Sequence, residues 1–464
     1  MRIVFIASEV VPFAKTGGLA DVCGTLPLEI EAAGHEVIII MPLYKEVGAK
    51  PVFNDRACID TVGKNIKVYF IRNKPYFGRS SIYGENMSDY PDNLERFTFF
   101  CREALNLLKE VGLPADIIHC HDWPTAIVPL LLKSSFSQDP FFAATRTVFT
   151  IHNLAYQGIF PGEEFGTLGV AAGYFNEDQV EYYGKVNLLK TGIVFSDYVT
   201  TVSPQYAKEI LTKDWGCGLE GVLQSRRSRL TGILNGLDYH MWDPEHDEYI
   251  DPSYSSQDQL ARKIHKEKLQ KIAGLAVIPD IPVFGFVGRL CYQKGFDLIE
   301  SAFEELMHRP IQIALLGVGE KKYQNLLKKL SRQNPHQFSV QVKYDEDIAH
   351  LVYAGSDFFL MPSVYEPCGL TQMIALRYGA IPLVSGVGGF LDTVVDCSST
   401  KKKGNGFVFS SYSVSGLMEV VDRAVGMYHQ KDKFAALIAH AMGCRFTWQG
   451  SVKHYLEVYH TCRS

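Results

Sequence analysis

Short apolar segments that end in polar or turn residues alternate with helical segments along this chain. Near the start, the apolar run Ile3–Ala7 leads into a loop, and the amphipathic segment Leu19–Ala33 follows, closed by Gly34. A second apolar run, Val37–Met41, stops at Pro42. This order predicts a βαβ unit. In a parallel sheet built from such units, the polar residues that follow each strand lie along one edge, where α/β proteins bind their ligands.

The same pattern continues through the chain in two blocks. In the first block, the apolar runs Asp116–His119, Thr147–Ile151 and Tyr198–Val202 each lead into polar or turn residues. The segment from Asn235 to about Pro282 interrupts the alternation and reads as a connection, and the alternation restarts at Val283. With 464 residues, the chain is long enough for two or three domains of roughly 150 residues. We therefore expect an α/β protein with two doubly wound, Rossmann-like domains that face each other across a cleft.

We place the first domain at residues 1–240 and the second at residues 241–447. The final segment, 448–464, has Trp448, Tyr455 and Tyr459 at helical spacing, and we expect it to pack back on the first domain.

Composition excludes several classes of protein. A net charge of -5 gives no general attraction to nucleic acid, and the basic runs Arg226–Arg229 and Lys401–Lys403 are short enough to be solvated surface. The first residues suit a β-strand better than a signal peptide, and no apolar run approaches the about 20 residues of a membrane span. Ten dispersed cysteines without a Cys-x-x-Cys pair favour free thiols in the cytoplasm.

The segment His119-Cys120-His121 is the one candidate for a metal site. We expect the two histidines to face opposite sides of a strand, and no further ligand cluster is evident, so we predict no metal there. The acidic segment Asp345–Asp347 opens a predicted helix, where acidic residues favour the helix dipole, and we interpret it as structural.

The stretch 360–372 carries the clearest predicted site. The strand Ser356–Met361 runs into polar and turn residues, and the helix Met373–Tyr378 follows and ends at Gly379. The backbone amides of residues 368–371, namely Cys368, Gly369, Leu370 and Thr371, would open this helix and could bind an anion. Glu366 lies just before them and would repel a phosphate but could bind hydroxyl groups. The stretch therefore indicates a ligand with anionic and polyol parts.

Two further segments supply cations near predicted strand ends. Lys15-Thr16-Gly17-Gly18 precedes the first helix; its glycines let the backbone approach a ligand, and Lys15 adds a mobile charge. This is neither a G-x-G-x-x-G nor a Walker motif, so a dehydrogenase or a kinase is disfavoured. In the second half, Arg289 and Lys294 follow a strand at a spacing that can converge on a diphosphate.

Together these motifs resemble those of bacterial glycogen synthases and plant starch synthases. The resemblance covers almost the whole chain and is carried, in order, by 15–22, 121–123, 232–236, 288–295 and 366–372. It implies the GT-B fold and retaining transfer of glucose from ADP-glucose to the non-reducing 4-hydroxyl of an α-1,4-glucan such as glycogen or a maltooligosaccharide. ADP is released, and no cofactor or metal is implied.

The resemblance also implies roles for individual residues. Arg289 and Lys294 would bind the diphosphate, with Lys15 assisting, and Tyr344 would stack on adenine. Glu366, His152 and Asn235 would bind glucose, with His152 near the anomeric centre. The residues implied as catalytic are Glu366, His152, Arg289, Lys294 and Lys15; those implied in donor binding also include Gly18, Asn235, Tyr344, Cys368, Gly369, Leu370 and Thr371; and those on the acceptor side are Asp21, Tyr90 and Asp122.

Retention of configuration by double displacement needs a carboxylate close to C1, and no such nucleophile stands out in the sequence. We therefore favour front-side attack, in which the acceptor hydroxyl arrives on the face that ADP leaves. A phosphorylase or a nucleotide-sugar epimerase could share the fold. A non-catalytic glucan-binding protein is the remaining alternative, although it would not need Lys15, Arg289, Lys294 and Glu366.

Overall fold

A computed structural model of the chain describes residues 1–85, 88–398, 400 and 403–464. The chain divides into two compact units, Met1–Asn235 with Trp448–Ser464, and Gly236–Thr447. Lys401 and Lys402 of the predicted basic surface run lie outside the described residues. Within the described residues, no helix is long and apolar enough to cross a membrane.

The first unit is built around an eight-stranded sheet in which only the edge strand is antiparallel. Its order is β13-β12-β8-β7-β1-β2-β4-β3, and β3 pairs antiparallel with β4. The strands of this unit are β1 Arg2–Ile6, β2 Glu36–Pro42, β3 Ala57–Val62, β4 Ile66–Ile71, β5 Gly84–Glu85, β6 Ser88–Asp89, β7 Ile117–His121, β8 Arg146–Ile151, β9 Ile159–Pro161, β10 Glu181–Tyr182, β11 Lys185–Asn187, β12 Tyr198–Thr201 and β13 Leu230–Gly232. Its helices up to the unit boundary are α1 Gly18–Ala32, α2 Lys74–Phe77, α3 Asn93–Val111, α4 Val128–Lys133, α5 Leu188–Phe195, α6 Pro204–Glu209 and α7 Glu220–Ser225.

Continuous burial explains why these apolar runs form central strands. All residues of β1 after Arg2 are buried, as is the whole of β7, because helices cover both faces of a parallel sheet. The direction of winding reverses between β1 and β7, which are adjacent although β2 lies on the other side of β1. In open α/β sheets, the carboxyl ends of the strands at such a reversal form the usual ligand site.

The second unit has a six-stranded, wholly parallel sheet of order β16-β15-β14-β17-β18-β19. Its reversal lies between β14 and β17. Its strands are β14 Val283–Val287, β15 Gln312–Leu316, β16 Phe338–Gln341, β17 Phe358–Met361, β18 Ile381–Ser385 and β19 Phe407–Phe409. Its helices are α8 Ala261–Ala273, α9 Phe296–Met307, α10 Lys321–Gln333, α11 Glu346–Gly355, α12 Thr371–Tyr378, α13 Gly388–Thr393, α14 Val414–His429 and α15 Lys431–Gly443.

The α/β class and the two doubly wound sheets predicted from the alternation are confirmed. The segment after Asn235, however, is more than a connection. Arg377 of α12 binds the carboxylates of Asp243 and Glu245, and Asp247 accepts hydrogen bonds from His350 and Tyr378. Because these partners are buried in the second unit, the segment is part of that unit's fold.

The last helix, α16 (Trp448–Arg463), belongs to the first unit, although it follows the second in sequence. It packs against α1 and β8, and Tyr455 and Tyr459 are fully buried. The Tyr459 hydroxyl lies 2.8 Å from Nδ1 of His119 in β7, and Ser451 donates a hydrogen bond to the Leu234 carbonyl. The helix therefore contacts the strand that carries the histidine pair of the first unit.

Candidate active site

In the second unit, the loops that follow β14 and β17 pack directly on each other. Gly295, with a φ of 75°, ends the short turn that carries Lys294, and a Cβ added there would lie 1.8 Å from the Pro362 carbonyl oxygen. The Val364 amide donates to the Gln293 carbonyl at 2.8 Å. Only glycine permits this approach without strain. The close packing brings the Lys294 side chain beside the loop after β17.

Lys294 and Glu366 form a shielded ion pair at this edge of the sheet. The Lys294 Nζ lies 2.5 Å from Oε2 of Glu366, and the two side chains are 16% and 7% exposed. Ser363 Oγ donates to the same carboxylate oxygen at 3.1 Å. The Glu366 carbonyl accepts from the Gly389 amide at 3.0 Å, which fixes the backbone as well. The pair offers an ammonium group with further donor capacity beside a carboxylate that can accept from hydroxyls.

The chain after Glu366 forms the predicted turn into a helix. Gly369 has a φ of 72°, and α12 begins at Thr371 with Leu370 at its N-cap. The Gln372 side-chain amide donates to the carbonyls of Cys368 and Gly369, at 3.0 and 2.7 Å. With those carbonyls held by Gln372, the turn has a fixed shape. The amides of Leu370 and Thr371 lie at the start of the helix, whereas Cys368 and Gly369 precede its N-cap in the turn.

The remaining predicted donor residues of this unit lie on exposed positions. Arg289 follows β14 and is exposed, as is Tyr344, at 75% of its surface. Asp345 caps α11 by accepting from the Ile348 amide at 3.1 Å and binds Lys343 at 2.7 Å. The prediction that Asp345–Asp347 opens a helix is confirmed, with Asp345 at the N-cap and the other two acidic residues in the first turn. Because it is exposed, Tyr344 is not a core aromatic residue.

In the first unit, the loop after β1 is organised by Glu9, which is 3% exposed. Its carboxylate accepts from the Thr16 amide at 2.5 Å, the Thr16 hydroxyl at 2.7 Å and the Gly17 amide at 3.1 Å. A further donor, the Tyr83 hydroxyl, lies at 2.6 Å. Glu9 therefore holds the turn that contains Lys15 and leads through Gly17 into α1.

Lys15 and Gly18 lie on the exposed side of this turn. The Lys15 Nζ binds Oδ1 of Asp21 at 2.7 Å, and both side chains are partly exposed, at 42% and 28%. Exposed pairs of this kind contribute little stability, about 0–1 kcal/mol, and exchange readily for a ligand anion. Asp21, predicted on the acceptor side, is thus in contact with the predicted donor-binding lysine.

Asp122, at the carboxyl end of β7, has a backbone φ of 54°. Its Oδ1 accepts from the His152 amide at 2.7 Å, so it ties the end of β7 to the end of β8. Burial of the carboxyl group raises its pKa to about 8, against the lowering effect of hydrogen bonds from the amides of His152 and Asn153. Asp122 is therefore a fixed cross-link, and its left-handed backbone is stabilised by these contacts.

Three histidines lie together at the ends of β7 and β8. His121 Nδ1 is 3.0 Å from His152 Nε2, and the rings of His119 and His121 are 4.2 Å apart. Burial lowers the pKa of all three, that of His152 to about 3. They are neutral at physiological pH.

The prediction that His119 and His121 face opposite sides of their strand is wrong. Residues two apart on a strand share a face, and both rings pack against Phe5 of β1. Within the part of the chain that the structure describes, no group of three or more His, Cys, Asp or Glu side chains is arranged to hold a metal ion.

Asn235 and Tyr90, the last two predicted residues of the first unit, differ in their hydrogen-bond partners. Asn235 is 5% exposed, and its Oδ1 has no hydrogen-bond partner among the described residues, so it can accept from a ligand hydroxyl. Tyr90 lies between the guanidinium groups of Arg79 and Arg96, 4.6 and 4.9 Å from its ring centroid. Its hydroxyl donates to Glu85 at 2.8 Å. These contacts are sufficient to hold Tyr90 without a ligand.

Sequence reasoning missed Glu9, His121 and Gln372 as residues that shape the site. Glu9 lies three residues after the end of the buried strand β1, which was a usable signal, but its partners Thr16 and Tyr83 are 7 and 74 residues away. Gln372 lies inside a quoted motif, and its 0% exposure becomes visible only in the structure.

Comparison with known proteins matches both units. The family described as starch synthase catalytic domain matches residues 2–225, and that described as glycosyl transferases group 1 matches residues 268–436. Glycogen synthases of Geotalea uraniireducens and Geotalea daltonii are 46% and 45% identical to the chain, over 99% of it and 98% of their own lengths.

Solved structures agree with these matches. The catalytic domain of starch synthase IV from Arabidopsis thaliana, bound to ADP and acarbose, superposes with a TM-score of 0.89 at 34% identity and covers 99% of both chains. A sucrose-phosphate synthase from Thermosynechococcus elongatus shares the fold at 17% identity, with a TM-score of 0.65 over 99% of this chain and 98% of its own.

Proposed function

The chain belongs to the glycogen and starch synthase family of GT-B glycosyltransferases, and we propose that it transfers glucose from ADP-glucose to the non-reducing 4-hydroxyl of an α-1,4-glucan. The observation that carries this proposal is the Lys294–Glu366 pair at the switch point of the second sheet. The Lys294 ammonium group can bind the negatively charged diphosphate, and the Glu366 carboxylate can accept hydrogen bonds from sugar hydroxyls. A nucleotide-sugar donor contains both parts.

The diphosphate of the nucleotide sugar is proposed to bind the positively charged side chains of this site. Lys294 has three donors and can keep its contact with Glu366 while it binds a phosphate oxygen. Arg289 on the exposed loop after β14 and Lys15 on the turn after β1 are proposed to add further positive charge. The amides of Cys368, Gly369, Leu370 and Thr371 are proposed to meet the phosphate or the sugar at the start of α12.

ADP-glucose is proposed over UDP-glucose because the starch synthase IV structure contains ADP. Tyr344, exposed over 75% of its surface, is proposed to stack on the base. Glu366, His152 and Asn235 are proposed to bind glucose hydroxyls, and the unpartnered Oδ1 of Asn235 supports this assignment. Asp21, Tyr90 and Asp122 are proposed for the acceptor side, where glycogen or a maltooligosaccharide would bind.

The chemistry proposed is front-side displacement with retention. The bond between C1 and the β-phosphate oxygen breaks, the acceptor O4 forms the new bond to C1 on the same face, and the hydroxyl proton passes to a phosphate oxygen of the departing ADP. Glu366 is a poor covalent nucleophile because Lys294 and Ser363 already occupy its Oε2. Positive charge close to the diphosphate stabilises the leaving group, so the protein acts through electrostatics and orientation.

The cytoplasm is the compartment we propose, because none of the ten cysteines, all within the described residues, forms a disulfide in the structure, and proteins without disulfides suit a reducing environment.

The test is incorporation of labelled glucose into glycogen from ADP-glucose, with UDP-glucose in parallel. We expect label in the polymer from ADP-glucose and a severe loss with Lys294→Met, which removes the charge and keeps the stem. Lys343→Met is the matched control, since Lys343 forms an ion pair with Asp345, the cap residue of α11. Label from UDP-glucose alone would refute the donor assignment, and label from neither would favour a glucan-binding protein.

A further inference from the structure

His121 and His152 form a buried pair that shares one hydrogen bond. The His121 Nδ1 and the His152 Nε2 are 3.0 Å apart, and His121 is fully buried while His152 is 8% exposed. Among the described residues, the other ring nitrogen of His121, Nε2, is buried and has no hydrogen-bond partner. The pair therefore ends in a buried unpaired nitrogen on one side and in His152 Nδ1 on the other.

Both rings are neutral, since burial lowers the pKa of each, so each ring carries one proton. Two arrangements are compatible with the shared hydrogen bond. In the first, His121 donates from Nδ1, its Nε2 is a bare lone pair, and His152 keeps its proton on Nδ1. In the second, His152 donates from Nε2, and the proton of His121 lies on its unpaired Nε2.

The environment of His121 decides between them. A buried N–H group without a partner loses a hydrogen bond to water and is rare in proteins, whereas an unpaired acceptor is tolerated more often. The His121 ring stacks on Phe5 at an interplanar angle of 13° and packs against His119, whose own nitrogens contact Tyr459 and Thr150. No donor or acceptor of this cluster is directed at His121 Nε2, so the arrangement with the bare lone pair is favoured.

We propose that His121 is a positioning residue that donates from Nδ1 to His152 and thereby fixes the His152 proton on Nδ1. His152 then presents a hydrogen-bond donor, and no acceptor, to an oxygen of the sugar donor. This inference rests on the proposed function, because it assigns the polarity of a residue that the proposed function places at the glucose.

The backbone around the pair is held by hydrogen bonds at both histidines. The His121 amide donates to Thr125 Oγ1 at 2.6 Å, and the His152 amide donates to Asp122 Oδ1 at 2.7 Å. The first contact fixes the end of β7 against the turn that follows it, and the second ties the end of β8 to the residue after β7. His121 thus acts on the ligand only through His152.

The direct test is neutron diffraction from deuterium-exchanged crystals of the unaltered protein near neutral pH. We expect deuterium on Nδ1 of both His121 and His152, and none on Nε2 of either. Deuterium on His152 Nε2 would overturn the proposal. This measurement is independent of activity, so it decides the inference even if the protein transfers no glucose.

The functional test compares His121→Asn with His121→Gln, which both remove the ring. The asparagine amide replaces the Nδ1 donor, whereas the glutamine amide occupies the position of Nε2. We expect His121→Asn to keep kcat within about tenfold of wild type and His121→Gln to lower kcat on the order of 100-fold, with a smaller change in KM, the effect of losing one oriented donor.

Circular dichroism and thermal melting check that both variants fold. Equal kcat values for the two folded variants would contradict the inference, while an inactive wild-type protein would instead contradict the proposed function. If either variant fails to fold, the neutron result decides.

Discussion

Removing either charge of the Lys294–Glu366 pair should destabilise the second unit measurably. At 2.5 Å and an effective dielectric constant of about 20, the attraction between two unit charges is roughly 6 kcal/mol, of which desolvation offsets a large part. Removing one partner leaves the other charge in a site where the side chains are 16% and 7% exposed. We expect Glu366→Ala and Lys294→Met each to lower the free energy of unfolding by about 3 kcal/mol, the lower end for a buried pair, because Lys294 keeps some access to water.

The double variant Lys294→Met/Glu366→Gln removes both charges together. Glutamine can still accept from Ser363, and methionine replaces the lysine stem, so we expect its free energy of unfolding to lie within about 1–2 kcal/mol of wild type. Urea unfolding followed by circular dichroism, with hydrogen exchange of β14 and β17 to report on the second unit, measures the double variant together with the single variants Lys294→Met and Glu366→Gln, which carry the same substitutions. A coupling energy below about 0.5 kcal/mol would refute the reasoning, since independent sites add to within that error.

This stability effect changes how the proposed role of Glu366 is tested. Glu366→Ala does not by itself test binding of the sugar, because the structure makes the alanine variant a stability variant as well. Glu366→Gln keeps the shape and the contact with Ser363, and it removes only the charge. Because Glu366→Gln also leaves the Lys294 charge without its partner, some loss of stability is expected here too. Loss of activity in a glutamine variant that is shown to be folded under the assay conditions therefore reports on the carboxylate itself.

Three further predictions concern other parts of the two units. Glu9→Ala removes the acceptor for two amides and two hydroxyls, so we expect a raised KM for the sugar donor and a stability loss of about 1–3 kcal/mol, checked by donor titration and urea unfolding; an unchanged KM would contradict the positioning role. Gly295→Ala places a Cβ 1.8 Å from the Pro362 carbonyl oxygen, so we expect the free energy of unfolding to fall by more than about 1 kcal/mol. Gly274→Ala is the control, because Gly274 has a φ of 70° with open space around it, and alanine there should show the cost of backbone strain alone. Burial lowers the pKa of His152 to about 3, so below about pH 6.5 His152 is protonated in the unfolded chain but stays neutral in the folded chain. The free energy of unfolding should therefore fall between about pH 6.5 and pH 3, by up to about 1.4 kcal/mol per pH unit. His152→Asn should make the free energy of unfolding depend less on pH over this range.

The alternation of apolar runs and helices was sufficient to predict the sheets and the edge at which the site lies. The strand β17, the turn at Gly369 and the helix α12 follow the sequence pattern closely, because a buried parallel strand and a glycine-closed helix are specified by neighbouring residues. Contacts between distant residues were not predictable in this way. Glu9 meets Tyr83, and Asp247 meets His350, across 74 and 103 residues, and no local pattern encodes either contact.

One error of the sequence analysis has the same origin, and a second has a local one. The segment after Asn235 lacks strand-helix alternation and was interpreted as a connection, yet its acidic residues are bound by Arg377 of α12. For the histidine segment, the faces of the strand were assigned wrongly, although the period of two fixes them. The structure corrects this assignment through the stacking of His119, His121 and Phe5.

The buried histidines and the cations near the described sites differ in charge, and this difference limits the proposed mechanism. The histidines of the first unit are neutral because burial lowers their pKa values, so they can orient hydroxyl groups but cannot offset the charge of a leaving diphosphate. Formal positive charge near the described sites comes from Lys294, Arg289 and Lys15. If leaving-group stabilisation is the main catalytic term, loss of Lys294 should lower kcat more than loss of His152, because a full charge acts more strongly on developing charge than a neutral donor does. The opposite order, in variants that remain folded, would show that orientation of the sugar contributes more than electrostatics.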